Sequence, residues 1–203
     1  MPAYSLYMTE EERGLIESAK NGESAAFGKL YDRYAERIYR FIFLKTGYKN
    51  DAEDLMHETF LAGWRTINSY ETRSDIPFTS WLYRIAGNRV IDWYRTRKSN
   101  ASLDEMMETN TLPVELASTG HAALLEALDR SFTMDAVMRG IRELNDAEQT
   151  VLLMRYVEDL SPEETARAVG KTAGAVRLIQ HRAILKLKKK LESVHERPIT
   201  RTS

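Results

Sequence analysis

Phe27, Leu30, Tyr31, Tyr34, Ile38, Phe41 and Ile42 recur at intervals of three and four, which places all seven on one side of a helix. A stripe that wide has to be buried, so a chain carrying it does not remain a solvated coil. The period returns at Met56, Phe60, Trp64 and Ile67, then at Trp81, Leu82, Ile85 and Ala86, and finally at Val176, Ile179, Ala183, Leu187 and Leu191. No alternating pattern bounded by hairpin turns accompanies it. The expected fold class is all-α.

Local signals mark the helix ends. Thr9 stands three residues before Glu12, the spacing of a capping box that opens a first helix. Gly47 is placed to end the second in the left-handed conformation. A third starts near Asp51, with Glu53 and Asp54 at the positive end of its dipole. Asn68 to Pro77 reads as a loop, and helix resumes at Phe78. From residue 99 to 120 the period lapses into Ser, Thr, Asn, Asp and Glu around Pro113, which predicts a flexible acidic linker.

Two small helical domains follow from this, residues 9–98 and 121–192, with a disordered tail over 193–203. In the second, Leu124, Leu125, Leu128 and Phe132 mark a leading helix. Asn145 with Glu148, and Ser161 with Glu164 and Pro162, cap the next two, and Thr172 caps the last.

Composition excludes several function classes. With 43% hydrophobic residues over 203 positions the chain builds real cores. It has no cysteine, which rules out disulfides and thiolate metal sites, and its four histidines are scattered. No metal or other cofactor is expected. No apolar run approaches the roughly 20 residues that span a bilayer, and Met1 to Glu10 lacks a secretory pattern, so a soluble, cytoplasmic protein with no membrane insertion is expected.

The net charge of −1 conceals a sorting by segment. Lys171 to Leu191 holds seven basic residues and no acid, while Asp51 to Glu58 holds four acids and no base. A basic stretch and an acidic helix call for two kinds of partner, as in an adaptor between DNA and a second protein.

Three segments carry the functional signal. Pro162 to Val169 and Ala173 to Leu191, separated by Gly170, Lys171 and Thr172, have helix-turn-helix spacing. In that arrangement Lys171, Thr172, Arg177 and His181 face a major groove, and Arg182, Lys186 and Lys188 reach phosphates. Arg177 suits a two-donor contact to guanine. Ala173 and Gly174 let backbone amides approach phosphate. The competing reading is a solvated Lys-rich face favoured by the helix dipole.

In the second segment, Phe78 to Lys98, aromatic and basic residues interleave as in single-strand binders, although Trp81 at the apolar spacing also reads as core and Trp93 fits either role. The third segment, Asp51 to Glu58, lacks the second histidine of a zinc-protease helix, and the chain has no nucleophile elbow, phosphate-binding loop or dinucleotide fingerprint. It is not expected to be an enzyme. The acidic helix fits a docking face for a basic protein, with plain solvent exposure as the alternative.

Three stretches, DAEDLMHETF from Asp51, FTSWLYRIAGNRVIDWYR from Phe78, and LSPEETA from Leu160 through GAVR and HRA, occur in the order and spacing of a known family. The chain resembles the extracytoplasmic-function sigma factors of bacterial RNA polymerase over most of residues 27–191. The resemblance implies a region 2 bundle and a region 4 helix-turn-helix, with RNA polymerase core and promoter DNA as partners. An anti-sigma factor is a further partner it suggests, and the free protein is expected to be a monomer.

By the same resemblance, Asp51, Asp54, Leu55, His57 and Glu58 dock on the coiled coil of the largest polymerase subunit. Asn88, Arg89, Asp92, Trp93 and Arg95 hold the melted −10 element, with Asn68, Ser69 and Tyr70 in a pocket for a flipped base. Lys171, Thr172, Ala173, Gly174, Arg177, His181 and Arg182 read the −35 element. Leu178 and Ile179 depart from the polar residues frequent there, Gln180 replaces a common leucine, and His57 replaces a frequent glutamine, making docking sensitive to pH. The rival readings are a sigma mimic that occupies an anti-sigma factor and a dimeric helix-turn-helix regulator.

Overall fold

The structure is a computed structural model, and it describes residues 8–72, 77–100, 124 and 134–195. Among the described residues there is no strand. Helix α1 (Glu10–Lys20) starts at Thr9, whose hydroxyl accepts from the Glu12 amide at 3.1 Å. The Glu12 carboxylate does not turn back to complete the box; it takes the Tyr34 hydroxyl instead. Helix α2 (Ser24–Thr46) ends at Gly47 with φ 81°. A larger residue there would be strained by the left-handed backbone, and its Cβ, about 3.1 Å from the Arg142 guanidinium, would push that side chain aside.

Helix α3 (Lys49–Thr66) runs into a 3-10 turn (Ile67–Ser69), and α4 (Phe78–Asn100) returns along the bundle. Leu30, Tyr34, Ile38 and Phe41 of α2 meet Ala52, Leu55, Met56 and Phe60 of α3 and Leu82, Tyr83, Ala86 and Val90 of α4 in one buried core. Leu55 is thus an inward residue, not part of an outer docking face, because it stands three residues after buried Ala52 and four before buried Thr59 on the inner side of α3.

The second unit contains a helix that the sequence reading missed, α5 (Met134–Arg142), which buries Val137, Met138 and Ile141. Its signal was that spacing of one and three. Helix α6 (Asp146–Leu152) opens with the complete Asn145–Glu148 box and continues into a π turn (Leu153–Val157). Helices α7 (Pro162–Val169) and α8 (Ala173–His195) follow. Of the leading helix expected around Leu124, that residue alone is described; it is helical and buried. The expected linker lies outside the described residues apart from Ser99 and Asn100, which belong to α4, and residues 196–203 of the tail also lie outside.

The two units share a continuous core, and the polar groups at their seam are paired. Glu158, with no exposed side-chain surface, accepts from Arg37 Nε at 3.0 Å, Arg40 Nε at 2.9 Å and Tyr83 Oη at 2.6 Å. Lys45 of α2, equally buried, reaches Asp146 and the Thr150 hydroxyl on α6. Ser80 Oγ of α4 donates to the Glu164 carbonyl of α7 at 3.2 Å. A carboxylate taken out of water costs several kcal/mol, and only partners of this number offset it.

Removing one member therefore costs more than the pair contributes. Glu158→Ala, which strands Arg40, is expected to lower stability by on the order of 3–5 kcal/mol in urea unfolding; an unchanged midpoint would contradict the network.

Burial also holds tyrosines protonated. It pushes Tyr83 well above the ordinary range, with Glu158 adding to it, and raises Tyr34 with help from Glu12; Tyr94 is raised and Tyr70 is pushed up to about 12. Such groups contribute stability fully below the unfolded pKa of 10.0 and lose it as pH rises through the folded value. Lys45 acts in the opposite sense: burial lowers its pKa, so its share of stability grows as pH rises toward the unfolded 10.5. The tyrosines outnumber it. The urea midpoint is expected to fall above about pH 10, and Tyr83→Phe should flatten that fall; a steady midpoint up to pH 12, where Tyr70 also titrates, would refute this.

Candidate nucleic-acid and protein interfaces

The helix-turn-helix is assembled by local signals. Ser161 accepts from the Glu164 amide at 3.1 Å while the Glu164 carboxylate takes the Ser161 amide at 2.7 Å. Gly170 at φ 65° reverses the chain, Lys171 N donates to the Ala166 carbonyl at 2.9 Å, and Thr172 Oγ1 accepts from the Ala175 amide at 3.2 Å. Small Ala166 with Val151 and Val176 forms the private core that fixes α7 against α8.

This geometry leaves Lys171, Thr172, Gly174, Arg177, His181 and Arg182 exposed and Ala173 half-buried at the start of α8. Arg177 Nη2 lies 2.6 Å from Glu163 Oε1, and both are exposed. The Glu163 carboxyl sits below its ordinary range, first through its own backbone amide and then through Arg177. An exposed pair of this kind is weak, so a guanine edge or phosphate can displace it.

Further along α8 the cations are not all free. Lys186, exposed on α8, binds the buried Glu148 at 2.5 Å, and Lys190 binds Glu143 at 2.6 Å. Gln180 has an internal role too. Its carbonyl accepts from Arg155 Nε at 3.2 Å and its amide donates to Tyr156 Oη at 2.9 Å, tying α8 to the π turn. Leu178 and Leu185, two turns apart, are exposed on the same helix.

On α4, Asn88, Asp92 and Arg95 are exposed at helical spacing, with Arg89 and Trp93 half-buried beside them. Asp92 and Arg95 lie 3.5 Å apart. The Trp93 ring meets Tyr94 edge-on at 4.8 Å and Tyr48 at 6.0 Å. Asn68 and Ser69 are exposed in the preceding turn. Tyr70 is not: it is 3% exposed and packs on Phe78 at 5.3 Å and Trp81 at 5.5 Å, so its ring supports the turn from beneath and does not face a base. Trp81 belongs to the same aromatic core.

On α3, Asp54, His57 and Glu58 point outward, and the His57 ring lies flat against Tyr31 at 6.1 Å. Leu61, half exposed, joins them one turn on; its position seven residues after Asp54 was the available signal. Asp51 stands apart, bonded to Arg97 Nη1 of α4 at 2.9 Å. Among the described residues no cluster of three or more potential metal ligands occurs, and no helix is long and apolar enough to cross a membrane.

The family model for Sigma-70 region 2 matches residues 30–100, and that for Sigma-70, region 4 matches residues 140–189. The ECF RNA polymerase sigma factor SigD of Mycobacterium tuberculosis is 36% identical over 179 residues, 86% of this chain and 81% of SigD. The chain belongs to the extracytoplasmic-function sigma factors. The ECF RNA polymerase sigma factor BldN of Streptomyces coelicolor is 37% identical over 172 residues, 84% of this sigma factor but only 62% of BldN, so the chain spans less than two thirds of that relative. SigW of Bacillus subtilis is 29% identical over 181 residues, 88% of this chain and 96% of SigW.

Among solved structures, CnrH in complex with the cytosolic domain of CnrY aligns with a TM-score of 0.65 at 25% identity over 91% of this chain and 99% of that one. RpoE in complex with the anti-sigma factor NepR from Bartonella quintana aligns with a TM-score of 0.61 at 19% identity over 84% of this chain and 98% of that one, a likeness of fold. The region 2 match begins on α2 and ends with α4, and the region 4 match spans α6, α7 and most of α8.

For this sigma factor the Arg177–Glu163 pair yields two opposite expectations. Arg177→Ala should weaken binding to a duplex carrying the upstream element by ~1–3 kcal/mol and relax base preference at one position. Glu163→Gln should lower the melting temperature slightly, because the fold favours the ionised carboxylate, and should tighten the same complex. Fluorescence anisotropy reads both, and equal affinities for all three proteins would place the groove face elsewhere on α8.

Proposed function

We propose that this sigma factor docks on RNA polymerase core through Asp54, His57, Glu58 and Leu61 and delivers two further surfaces to promoter DNA. Residues 9–98 act as the region 2 unit, in which Asn88, Arg89, Asp92, Trp93 and Arg95, with Asn68 and Ser69, hold the melted −10 element. Residues 121–192 act as the region 4 unit, whose Lys171 to Arg182 face reads the −35 duplex, and residues 99–120 join the two. The protein contributes no chemistry of its own; polymerase supplies catalysis, and the natural setting is the cytoplasm. An anti-sigma factor is a fitting further partner.

The observation that carries this reading is the outward placement of opposite charges on different elements, acid on α3 and base at the start of α8. Polymerase docking and DNA reading then proceed without competition for one surface.

A consequence concerns the closed seam. Elements centred near −35 and −10 lie about 25 base pairs apart, about 85 Å at ~3.4 Å per pair. A compact chain of this length has a radius of gyration of about 17 Å, or roughly 43 Å across. Both elements are reached together only when the units separate on the linker.

Run-off transcription with purified core polymerase on a genomic fragment library tests the function. Transcripts starting downstream of a shared pair of elements are expected. Their absence, with core that responds to another sigma factor, would overturn the proposal and favour a sigma mimic.

A further inference from the structure

Asp51, Tyr48, Trp93 and Arg97 form a cluster that the charge pattern did not disclose. Tyr48 is the N-cap of α3, presented by the turn at Gly47, and Asp51 follows in the first turn. The Arg97 guanidinium lies 4.0 Å from the Tyr48 ring centre and 5.1 Å from that of Trp93, while its Nη1 is held by Asp51 Oδ2 at 2.9 Å. The two rings are themselves 6.0 Å apart. From the other side Tyr94 braces Trp93 edge-on, and the Tyr94 hydroxyl is fastened to the Lys45 carbonyl at 2.6 Å.

A guanidinium shared by two rings is a planar cation that fixes their mutual orientation. Left to itself, a half-exposed arginine samples many rotamers, and ordering it costs entropy. Asp51 supplies the directional bond that selects one of them. Asp54, His57 and Glu58, by contrast, face away from the bundle.

We infer that Asp51 is a positioning residue for single-stranded DNA: it holds Arg97 against both Tyr48 and Trp93, so that the cation and the two neighbouring rings form a preassembled stacking platform at the end of α4. The inference rests on the proposed contact between Trp93 and the melted strand and removes Asp51 from the polymerase-docking set. Tyr48 and Arg97 join the strand-binding surface. Stacking needs a ring already oriented, since an unstacked base finds no partner on a mobile one.

The test uses the full chain assembled with core polymerase. Asp51→Asn, Asp51→Glu, Arg97→Lys and the double variant Asp51→Asn/Arg97→Lys are compared with Trp93→Ala. Two affinities are measured: that of the sigma factor for core, by competition, and that of the holoenzyme for a single-stranded non-template −10 oligonucleotide.

Asp51→Asn and Arg97→Lys are each expected to weaken oligonucleotide binding roughly tenfold, the size of one base–aromatic contact, with core affinity unchanged. Arg97→Lys keeps the charge, so its salt slope should match the parent. Asp51→Glu should restore most of the binding, and the double variant should be no worse than Arg97→Lys alone. Circular dichroism melts verify that each variant is folded.

Weakened core binding in Asp51→Asn with oligonucleotide affinity intact would return Asp51 to the docking face and overturn the inference. A loss in Trp93→Ala without one in Asp51→Asn would sink the positioning role alone. No loss in Trp93→Ala would sink the strand contact on which it rests, and the inference with it.

Discussion

A carboxylate with no exposed side-chain surface governs how the two halves of this molecule meet. Glu158 closes the π turn, and the next residue, Asp159, takes φ 53° to turn the chain into α7. Arg37 and Arg40 come from one face of α2 and Tyr83 from α4, so one anion ties both long helices of the first unit to the entrance of the helix-turn-helix. A buried ion cluster is poor evidence for net stability, because desolvation consumes most of its Coulombic gain. What it imposes is geometry: only one docking of the units satisfies all three donors. Lys45 with Asp146 and Thr150 repeats the device at the next contact along α2.

That docking covers selected surfaces. It buries Ser80 and Tyr83 in the first half of α4 and leaves Asn88, Asp92 and Arg95 open. The start of α8 also stays free, as does the acidic side of α3. The closed arrangement therefore restrains the distance between the proposed DNA-reading surfaces without occupying them. The seam is mixed: water and counter-ions can re-solvate its charges on separation, whereas opening the apolar core that the units share exposes surface that disfavours it.

Much of the fold was legible because helix ends are local events. The boxes at Asn145 and Ser161, the left-handed glycines at 47 and 170 and the Thr172 cap each need only a few neighbouring residues, and each stands where the sequence put it. Long-range facts were not legible. Nothing around Glu158 marks it as buried, because its partners lie more than 70 residues away. Nor does the sequence show that Gln180 and Lys186 are tied to Arg155, Tyr156 and Glu148 across the fold. Leu55 was left out of the inward stripe and placed in the docking set with its acidic neighbours, yet it is buried, while Leu61 was overlooked for want of a charge. The functional roles came from resemblance, because an exposed Arg or Trp on a helix has no spacing that names its ligand.

The central claim is that a chain held closed by a shared apolar core, in a geometry set by buried ion pairs, opens on polymerase so that its two proposed DNA-reading units span separate promoter elements. Because the chain has no cysteine, dyes attach cleanly through Thr96→Cys on α4 and Glu192→Cys on α8. Energy transfer between them, measured in the free protein and again in the complex with core polymerase and promoter DNA, is expected to be efficient in the first case and to collapse in the second. Equal transfer in both, from a complex that is active in transcription, would contradict the account.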